Sequence, residues 1–439
     1  MTKNKKKRGG RRKYVLVFAS LIIASVLAVY FAAGRIINSN VESESTGNQQ
    51  DETTLGEVGS EDIEQTQTSE NDNNSTLEED SSTAPSVLTI EEQALEILSS
   101  MTLTEQIYQM FIVNPEQLTK AAVQTQAGSA TEQALQNYPV GGIVYFADNI
   151  QTPEQVKKMI GNSQSYSRIG LFIAVDEEGG RVARIGKNSN MGTTSFPSMK
   201  VIGDTGDTDN AYNVGYTIGI EIAELGFNLD FAPVADVDSN PDNPVIGDRS
   251  FSTDPIVTSS MVSAAVQGFK DSGILCTLKH FPGHGDTATD SHKGYTELNK
   301  TLEELHKVEL VPFQNGIAAG AEFVMVGHIS APQITGNDIP ASLSNTMINI
   351  LRNDLDFSGL IITDSMQMKA ITKRYSSGQA AVMAIQAGVD IILMPENLQE
   401  AVEGILEAIQ TGSIPENRIA ESVAKILETK IRAGIIEVR

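Results

Sequence analysis

The segment Lys279–Tyr295, KHFPGHGDTATDSHKGY, holds three of the five histidines of the chain, with two aspartates and three glycines. The apolar run just before it, ILCTL at 274–278, is typical of a strand that ends where these titratable groups begin. Such groups beside glycines at a strand end are typical of active sites built on a rigid sheet. Asp290 precedes His292 by two residues, and a carboxylate so placed holds an imidazole in one tautomer and raises its basicity. The segment therefore predicts a loop that carries a general acid/base.

Polar side chains also stand at the ends of five apolar runs in the sequence. The residues at these ends are Asp176 with Arg181 and Arg184, Asp230 with Asp236, Lys279 with His280, His328, and Asp364. The carboxyl ends of the strands form the catalytic face of a parallel α/β barrel, so we expect these residues to lie together. Asp364 follows Ile-Ile-Thr and is well placed for a nucleophile, although a strand-end aspartate also serves as the N-cap of a following helix.

Asp364 and the Asp290–His292 pair together match the needs of a retaining glycosidase. This reaction needs one group that attacks the anomeric carbon and another that protonates the leaving oxygen and then deprotonates water. Two carboxylates usually do this. A histidine oriented by an aspartate can replace the second carboxylate, because both of its protonation states are accessible near neutral pH. The residues therefore favour covalent glycoside chemistry.

A metal site and a phosphate-binding loop are not predicted. His280 and His284 have the i, i+4 spacing of helical metal ligands, but Pro282 and Gly283 lie between them. That proline and glycine prevent the two histidines from sharing one helical face. No HExxH pattern occurs, and no P-loop or dinucleotide fingerprint surrounds the glycines at 179–180.

Glycine and aromatic residues lead to two further expectations about the loop and the sugar site. The glycines at 283 and 285 predict a mobile loop that carries the Asp290–His292 pair and closes over substrate. The chain has no tryptophan, which is the commonest sugar-stacking residue. The residues that would replace it are Phe231, Phe281 or Tyr295, although core or loop packing also explains each of them.

Apolar runs alternate with amphipathic stretches from Thr89 onward. The predicted strands are Ile107–Val113, Gly142–Phe146, Leu171–Asp176, Leu229–Asp236, Leu275–His280, Ala321–His328, Gly359–Asp364 and Asp390–Met394. Helical stretches between them include Asp209–Leu225, Thr258–Ser272, Leu302–Ala319 and Leu398–Ile409. Strands that are each followed by a helical segment predict an α/β fold, a (β/α)8 TIM-like barrel, with a doubly wound open sheet as the alternative.

The N-terminal region predicts a membrane anchor. Residues 1–13 contain eight Lys and Arg and no acid, whereas the 21 residues 14–34 carry no charge. A run of that length crosses a bilayer as a transmembrane helix, and the basic flank places residues 1–13 in the cytoplasm. The alternative is a signal peptide cleaved near 32–34, which would release a secreted protein. The expected location is otherwise the cell membrane, with the catalytic domain extracellular.

A disordered acidic linker is predicted at 35–88, followed by a catalytic domain at 89–439. Residues 38–85 contain thirteen acidic, no basic and no aromatic residues, so this part cannot bury enough apolar surface to fold. Residues 86–439 hold 23 basic and 43 acidic residues, a net charge of −20, which argues against nucleic acid as a partner. The one cysteine, Cys276, lies in an apolar run and is expected to be an inert core thiol.

Six segments of the chain are similar to those of a known family. They are VDEEGGRVAR at 175–184, FPSMKVIG at 196–203, LDFAPVADVDSNPDNPVIGDRSF at 229–251, KHFPGHGDTATDSH at 279–292, VMVGHI at 324–329 and ITDSMQM at 362–368. They occur in the order of that family and span most of the predicted catalytic domain. The chain thus resembles glycoside hydrolase family 3, and within it the β-N-acetylglucosaminidase (β-hexosaminidase) branch.

The resemblance implies a TIM-like barrel and a two-step reaction through a covalent glycosyl–enzyme intermediate. It implies Asp364 as the nucleophile and His292 as the general acid/base, with Asp290 as the partner of His292. The residues implied to hold the terminal N-acetylglucosamine (GlcNAc) are Asp176, Arg184, Arg249, Lys279 and His280. Charged side chains of these types make strong hydrogen bonds to sugar hydroxyls. No cofactor and no metal are implied.

The implied substrate is a glycan with a non-reducing terminal β-linked GlcNAc, such as a peptidoglycan fragment or muropeptide, and we expect a monomer. Three alternatives remain open. A histidine acid/base repels phosphate less than a carboxylate does, so a GlcNAc phosphorylase is one alternative. A β-glucosidase of the same family is the second, and a membrane-tethered, non-catalytic wall-binding barrel is the third.

Overall fold

Short apolar segments rich in valine and isoleucine form the strands of the protein. The computed structural model describes residues 88–437. Every residue of the strands FIAV and LIIT is buried, as expected for parallel strands that are covered on both faces. The strands are β1 (Phe111–Val113), β2 (Gly142–Val144), β3 (Phe172–Val175), β4 (Leu229–Asp230), β5 (Leu275–Phe281), β6 (Phe323–Val326), β7 (Leu360–Thr363) and β8 (Ile392–Leu393).

These eight strands form one sheet in the order β8-β1-β2-β3-β4-β5-β6-β7. Neighbouring strands are parallel, and Phe111 of β1 pairs with Ile392 of β8. A parallel bridge between Ile362 of β7 and Ile391, the residue before β8, closes the sheet. The predicted (β/α)8 barrel is therefore confirmed. The open doubly wound sheet is wrong, because such a sheet would leave two unpaired edges.

Helices connect successive strands and cover the barrel. They are α1 (Ile90–Ser99), α2 (Leu103–Gln109), α3 (Pro115–Thr119), α4 (Ser129–Asn137), α5 (Pro153–Tyr166), α6 (Met199–Gly203), α7 (Thr208–Leu225), α8 (Pro255–Asp271), α9 (Leu302–Lys307), α10 (Leu310–Ala319), α11 (Pro332–Thr335), α12 (Asn345–Asn349), α13 (Lys369–Thr372), α14 (Ser377–Ala387), α15 (Leu398–Gln410) and α16 (Glu416–Arg432). Shorter turns lie at Ala147–Asn149, Gly247–Arg249 and Ala341–Leu343, with a π-helical turn at Ile350–Asp354. Several starts follow directly from sequence, since Thr89, Thr102 and Thr301 each form a capping box.

Three predicted elements have different bounds for local chemical reasons. The stretch predicted as a strand from Ile107 begins inside α2, because the Thr102–Glu105 capping box starts a helix there. Residues 229–236 form a strand only at β4, since Pro233 has no N–H for a ladder. The predicted helix Leu302–Ala319 is divided into α9 and α10, and Pro312 in the first turn of α10 cannot donate back to the preceding segment.

The predicted basic tail, transmembrane segment and acidic linker precede the described residues and stay predictions. Within 88–437 no helix is both long enough and apolar enough to cross a membrane. Cys276 is fully buried in β5, as expected for a core thiol, and burial raises its pKa well above the ordinary value.

Candidate active site

The loop after β3 turns two carboxylates toward the centre of the barrel mouth. Residues Glu177–Gly179 pair with Val182–Ala183 in a small antiparallel hairpin. The side chain of Glu177 accepts hydrogen bonds from the backbone N–H groups of Arg184, Ile185 and Gly186 at 2.7, 2.7 and 2.9 Å. Because Glu177 is used in this way, the hairpin is fixed, and its neighbours Asp176 and Glu178 both line the cavity above the barrel.

A buried ion-pair network joins these carboxylates to two cations. The Lys279 ammonium lies 2.8 Å from Asp176 Oδ1 and 2.6 Å from Glu178 Oε1. Arg249 binds Glu178 through Nε and Nη2 at 2.8 and 2.7 Å, the bidentate geometry that suits a guanidinium. Arg184 approaches Asp176 more loosely, at 3.6 Å from Oδ2.

Burial and pairing act against each other in this network, and pairing prevails. Burial alone would raise the pKa of Glu178, but the charges of Arg249 and Lys279 hold it well below its usual range. Burial alone would lower the pKa of Lys279, but Asp176 and Glu178 raise it above its ordinary value. Glu178 and Lys279 therefore remain charged at neutral pH.

Asp236, at the end of the chain segment that follows β4, orients His280. The carboxylate is fully buried and lies 2.7 Å from His280 Nδ1. On the other side of the ring, His280 Nε2 lies 3.4 Å from Nη2 of Arg249, which can only donate. Nε2 is therefore the acceptor, and the imidazole proton sits on Nδ1, where it is donated to Asp236.

Asp364 follows β7 and its carboxylate faces the same cavity. Burial by itself would raise the pKa of Asp364. The imidazoles of His328 and His280, with the backbone N–H of Ser365, hold that pKa below its usual value. The next helix begins at Lys369 with Met368 at its N-cap, so the N-cap interpretation of Asp364 is wrong. An ionised, buried carboxylate at a strand end can act as a nucleophile.

The Asp290–His292 pair lies on the long loop after β5. Asp290 Oδ1 is 3.0 Å from His292 Nδ1 and also accepts the His292 backbone N–H at 2.9 Å. The Asp290 pKa is lowered: burial acts to raise it, but the His292 N–H and the nearby Lys293 outweigh this effect. The His292 side chain is 63% exposed and lines the cavity, and the Asp290 carboxylate contacts its Nδ1 and not its Nε2.

One cavity of about 460 Å³ brings the predicted residues together. The predicted residues that line it are Asp176, Arg184, Arg249, Lys279, His280, His292 and Asp364. Asp290 lines an adjoining recess of about 290 Å³, together with His292 and Arg181. A cleft of about 510 Å³ between residues 372 and 400 contains none of the predicted residues. Its chemistry gives no reason to prefer it as the active site.

Sequence reasoning did not select several residues that hold this site. Glu178 bridges Lys279 and Arg249. Its i, i+2 spacing from Asp176 is the feature of the sequence that could have identified it. Asp236 and His328 were noted at strand ends but not assigned to the site. Phe146 lines the cavity with Arg184 5.9 Å above its ring centroid. Nothing in the sequence distinguishes Phe146 from an ordinary core residue.

The interpretation of Gly285 and of two aromatic candidates changes in the structure. A Cβ on Gly285 would lie 1.6 Å from the Val237 carbonyl oxygen, so close packing accounts for this glycine, while closure of the loop over substrate stays a prediction. Phe281 is fully buried against Phe313, with ring centroids 5.6 Å apart. Tyr295 donates its hydroxyl to Glu297 at 2.8 Å and does not line the cavity. Phe231 does line it.

The described residues contain no arrangement of three or more His, Cys, Asp or Glu side chains that could hold a metal ion. His284, the second histidine of the 280/284 spacing, points to hydroxyl groups: its Nε2 lies 2.9 Å from Ser291 Oγ and its Nδ1 2.7 Å from Thr287 Oγ1. These partners satisfy both ring nitrogens.

The chain is similar to known proteins over most of its described length. Residues 102–429 match the glycosyl hydrolase family 3 N-terminal domain. The chain is 34% identical over 341 residues to β-hexosaminidase A of Pseudoalteromonas piscicida, covering 71% of this chain and 56% of that protein. It is also 34% identical to the β-hexosaminidase LpqI of Mycobacterium tuberculosis, covering 68% of this chain and 78% of the relative.

A solved structure has the same fold. It is a glycoside hydrolase family 3 β-N-acetylglucosaminidase from Paenibacillus sp. FPU-7, with 35% identity and a TM-score of 0.72. The match covers 77% of this chain and 64% of that one. The chain thus spans less than two thirds of the length of two of these three relatives. With the family match extending over most of the barrel, the chain belongs to glycoside hydrolase family 3, and the relatives it matches are β-hexosaminidases.

Proposed function

We propose that this protein is a retaining β-N-acetylglucosaminidase that removes non-reducing terminal β-linked GlcNAc from peptidoglycan fragments or related glycans. One observation carries the proposal. An ionised carboxylate, Asp364, and an aspartate-oriented imidazole, His292, face one cavity whose wall is a network of charged hydrogen-bonding groups. A nucleophile and a proton donor beside a polar sugar-sized pocket are what the retaining reaction needs.

In the first step, His292 donates the proton on Nε2 to the glycosidic oxygen while an Asp364 oxygen attacks the anomeric carbon. The bond from that carbon to the leaving oxygen breaks, and the aglycone leaves with the proton. Asp290 accepts from His292 Nδ1 and stabilises the imidazolium that carries the proton before transfer. The lowered pKa of Asp364 keeps it in the anionic form that attacks.

In the second step, His292 is neutral and takes a proton from water. The water oxygen attacks the anomeric carbon from the face that the aglycone left, and the ester bond to Asp364 breaks. Asp364 returns to a carboxylate and His292 regains its proton. Two inversions at one carbon leave the β configuration of the product.

The lining of the cavity can hold one sugar above the packed interior of the barrel. That interior is filled by buried side chains such as Phe172 and Phe323, whose rings pack edge to face at 5.3 Å. In the proposed reaction the glycan enters end first, and its terminal sugar meets Asp176, Lys279 and Arg249. Their charge-assisted hydrogen bonds to hydroxyls hold this sugar against Asp364.

The location of the reaction is proposed from the sequence alone. Residues 14–34 carry no charge and follow a basic flank, which predicts a membrane anchor with the catalytic domain outside the cell. A catalytic domain in that place would meet wall fragments and exogenous glycans. Separation of membrane and soluble fractions, followed by protease treatment of intact cells, tests the anchor and the side of the membrane.

Activity is tested with the full chain in detergent on 4-nitrophenyl β-N-acetylglucosaminide and the matching β-glucoside, with and without phosphate. We expect nitrophenol release from the GlcNAc compound only, with free GlcNAc in both buffers. The Asp364→Asn variant should lose at least about a thousandfold in kcat/KM, because no other group can form the covalent intermediate. GlcNAc-1-phosphate would establish the phosphorylase instead. Full activity of Asp364→Asn would contradict the assigned nucleophile.

A further inference from the structure

We propose that a buried hydrogen bond between His284 and Ser291 is a latch that positions the Asp290–His292 pair over the cavity. The two residues do not touch substrate in this proposal and act as positioning residues for the general acid/base. The inference rests on the proposed function, since it assigns to His284 and Ser291 the support of the acid/base in that reaction.

The acid/base pair has little support of its own. Among residues 88–437, the Asp290 carboxylate binds only the side chain and backbone of His292 and, at 3.2 Å, the exposed ammonium of Lys293. These partners move with the loop, so they cannot fix its position relative to Asp364. An exposed side chain held only by local contacts samples several positions. Some contact outside this segment must therefore hold it in place.

Ser291 supplies such a contact, because it lies between Asp290 and His292 but points the other way. Ser291 is 1% exposed, as is His284, and Ser291 Oγ lies 2.9 Å from His284 Nε2. Ser291 lies in one turn with Asp290 and His292, closed by the Lys293 N–H that donates to the Asp290 carbonyl at 2.9 Å, so fixing Ser291 also fixes its two neighbours.

His284 is itself fixed to the barrel. Its backbone N–H donates to Asp236 Oδ1 at 2.6 Å, and Asp236 is the same carboxylate that orients His280 in the cavity wall. Just beyond it, Gly285 lies against the Val237 carbonyl with no space for a side chain. One buried carboxylate therefore sets both a sugar-facing residue and the base of the catalytic loop.

The nucleophile side of the cavity has a matching pair that serves as a comparator. His328 Nδ1 lies 2.7 Å from Ser342 Oγ, and its Nε2 donates to the Ser365 carbonyl at 2.9 Å, directly after Asp364. Both pairs consist of a buried histidine and a buried serine. One lies beside the acid/base and the other beside the nucleophile, so removing each hydroxyl should affect a different part of the reaction.

The first test compares leaving groups in Ser291→Ala. A poor leaving group such as the second GlcNAc of a disaccharide needs a positioned acid, whereas 2,4-dinitrophenolate leaves without a proton. We expect kcat/KM for the disaccharide to fall about 10- to 100-fold, the loss that a displacement of the acid/base by about 1 Å would cause. For the dinitrophenyl glycoside, kcat/KM should fall less than about threefold.

Two serine variants serve as controls. Ser342→Ala should lower kcat/KM by a similar factor for both substrates, because the nucleophile attacks both. Ser259→Ala removes a buried hydroxyl that bonds Asn315 between the outer helices α8 and α10, and should leave both rates unchanged. Equal losses on the two substrates in Ser291→Ala would show a merely structural role and overturn the latch.

The second test does not depend on catalysis. Hydrogen–deuterium exchange of the full chain should show faster amide exchange at residues 286–295 in Ser291→Ala than in the parent, with no such change in Ser259→Ala. Exchange that stays the same at 286–295 would overturn the latch even if the parent cleaves GlcNAc. Conversely, a parent without turnover whose Ser291→Ala variant exchanges faster would contradict the proposed function and not the latch.

Discussion

Two groups of charged residues at the mouth of the barrel are built in opposite ways. The group of Glu178, Lys279 and Arg249, proposed to hold the sugar, is buried, with side chains at most 10% exposed, and each member binds another across the barrel mouth. The acid/base group of Asp290 and His292 stands on a loop, where the His292 side chain is 63% exposed.

This contrast follows from what each group must do. Groups that hold a sugar must keep one charge and one position, and mutual pairing away from water secures both. A group that gives and takes a proton in each cycle must reach water and change its charge. A buried ion pair would stabilise one of its two protonation states and so hinder the proton transfer. We therefore expect changes in the first group to affect stability and changes in the second to affect rate.

The largest kinetic effect after loss of Asp364 should come from the exposed pair. His292→Ala should lower kcat/KM on a GlcNAc disaccharide by about 10²- to 10⁴-fold, because it removes the proton donor. The melting temperature should stay within error of the parent, since the side chain is exposed. Asp290→Asn should show a smaller loss of the same kind. A large fall in melting temperature with His292→Ala would contradict the expectation that the exposed pair affects rate and not stability.

The largest stability effect should come from the buried group. Glu178→Gln removes the negative charge that pairs with Arg249 and Lys279, and it should lower the free energy of unfolding by about 3 to 5 kcal/mol. Urea unfolding measures this loss. The matched control is Glu303→Gln, which removes an exposed pair with Lys307 and should give no measurable change.

The pH dependence of this effect has a definite sign. The folded pKa of Glu178 is held below its ordinary value of 4.5, so its stabilisation is present above pH 4.5 and is lost as the pH falls toward the folded value. The parent and Glu178→Gln should therefore converge in unfolding free energy on acidification below that pH. A constant difference between the two down to pH 3 would contradict the assigned cause.

Lys430 differs from Lys279 because, within the part of the chain that the structure describes, it is buried with no carboxylate partner. Its ammonium bonds Gln109 Oε1 at 2.8 Å and lies 5.0 Å from the Phe172 ring centroid, and burial lowers its pKa to about 7. The unfolded chain keeps this proton up to its ordinary pKa of 10.5, so stability should rise with pH above 7. The parent should gain about 1 to 2 kcal/mol between pH 7 and pH 9 relative to Lys430→Met. Parallel pH curves for the two proteins would contradict this expectation.

The smallest effect should come from Lys293, whose side chain is 81% exposed and 3.2 Å from Asp290. Exposed ion pairs contribute little, so Lys293→Ala should change kcat/KM by less than about threefold and leave the melting temperature unchanged. If Lys293→Ala lost as much kcat/KM as Asp290→Asn, the Lys293 ammonium would be needed to hold the exposed pair, which would contradict this expectation.

The barrel, and most residues of the candidate site, could be predicted from the amino-acid sequence. Strand segments such as LIIT before Asp364 are recognisable because side-chain types and periodicity record local structure. The DSH element placed an aspartate beside a histidine within three residues, and the structure keeps that contact. Local spacing was enough for these features, because the interacting groups are neighbours in the chain.

Only the tertiary structure decided which charges meet and which stay buried. Arg249 binds Glu178 across 71 positions, and Lys279 binds Asp176 across 103. The same holds for the two residues proposed as a latch, since Ser291 bonds His284, whose backbone N–H donates to Asp236 from the segment that follows β4. Partner and burial set each pKa, and both arise from contacts between distant segments, so the sequence names the groups while the fold fixes their charge.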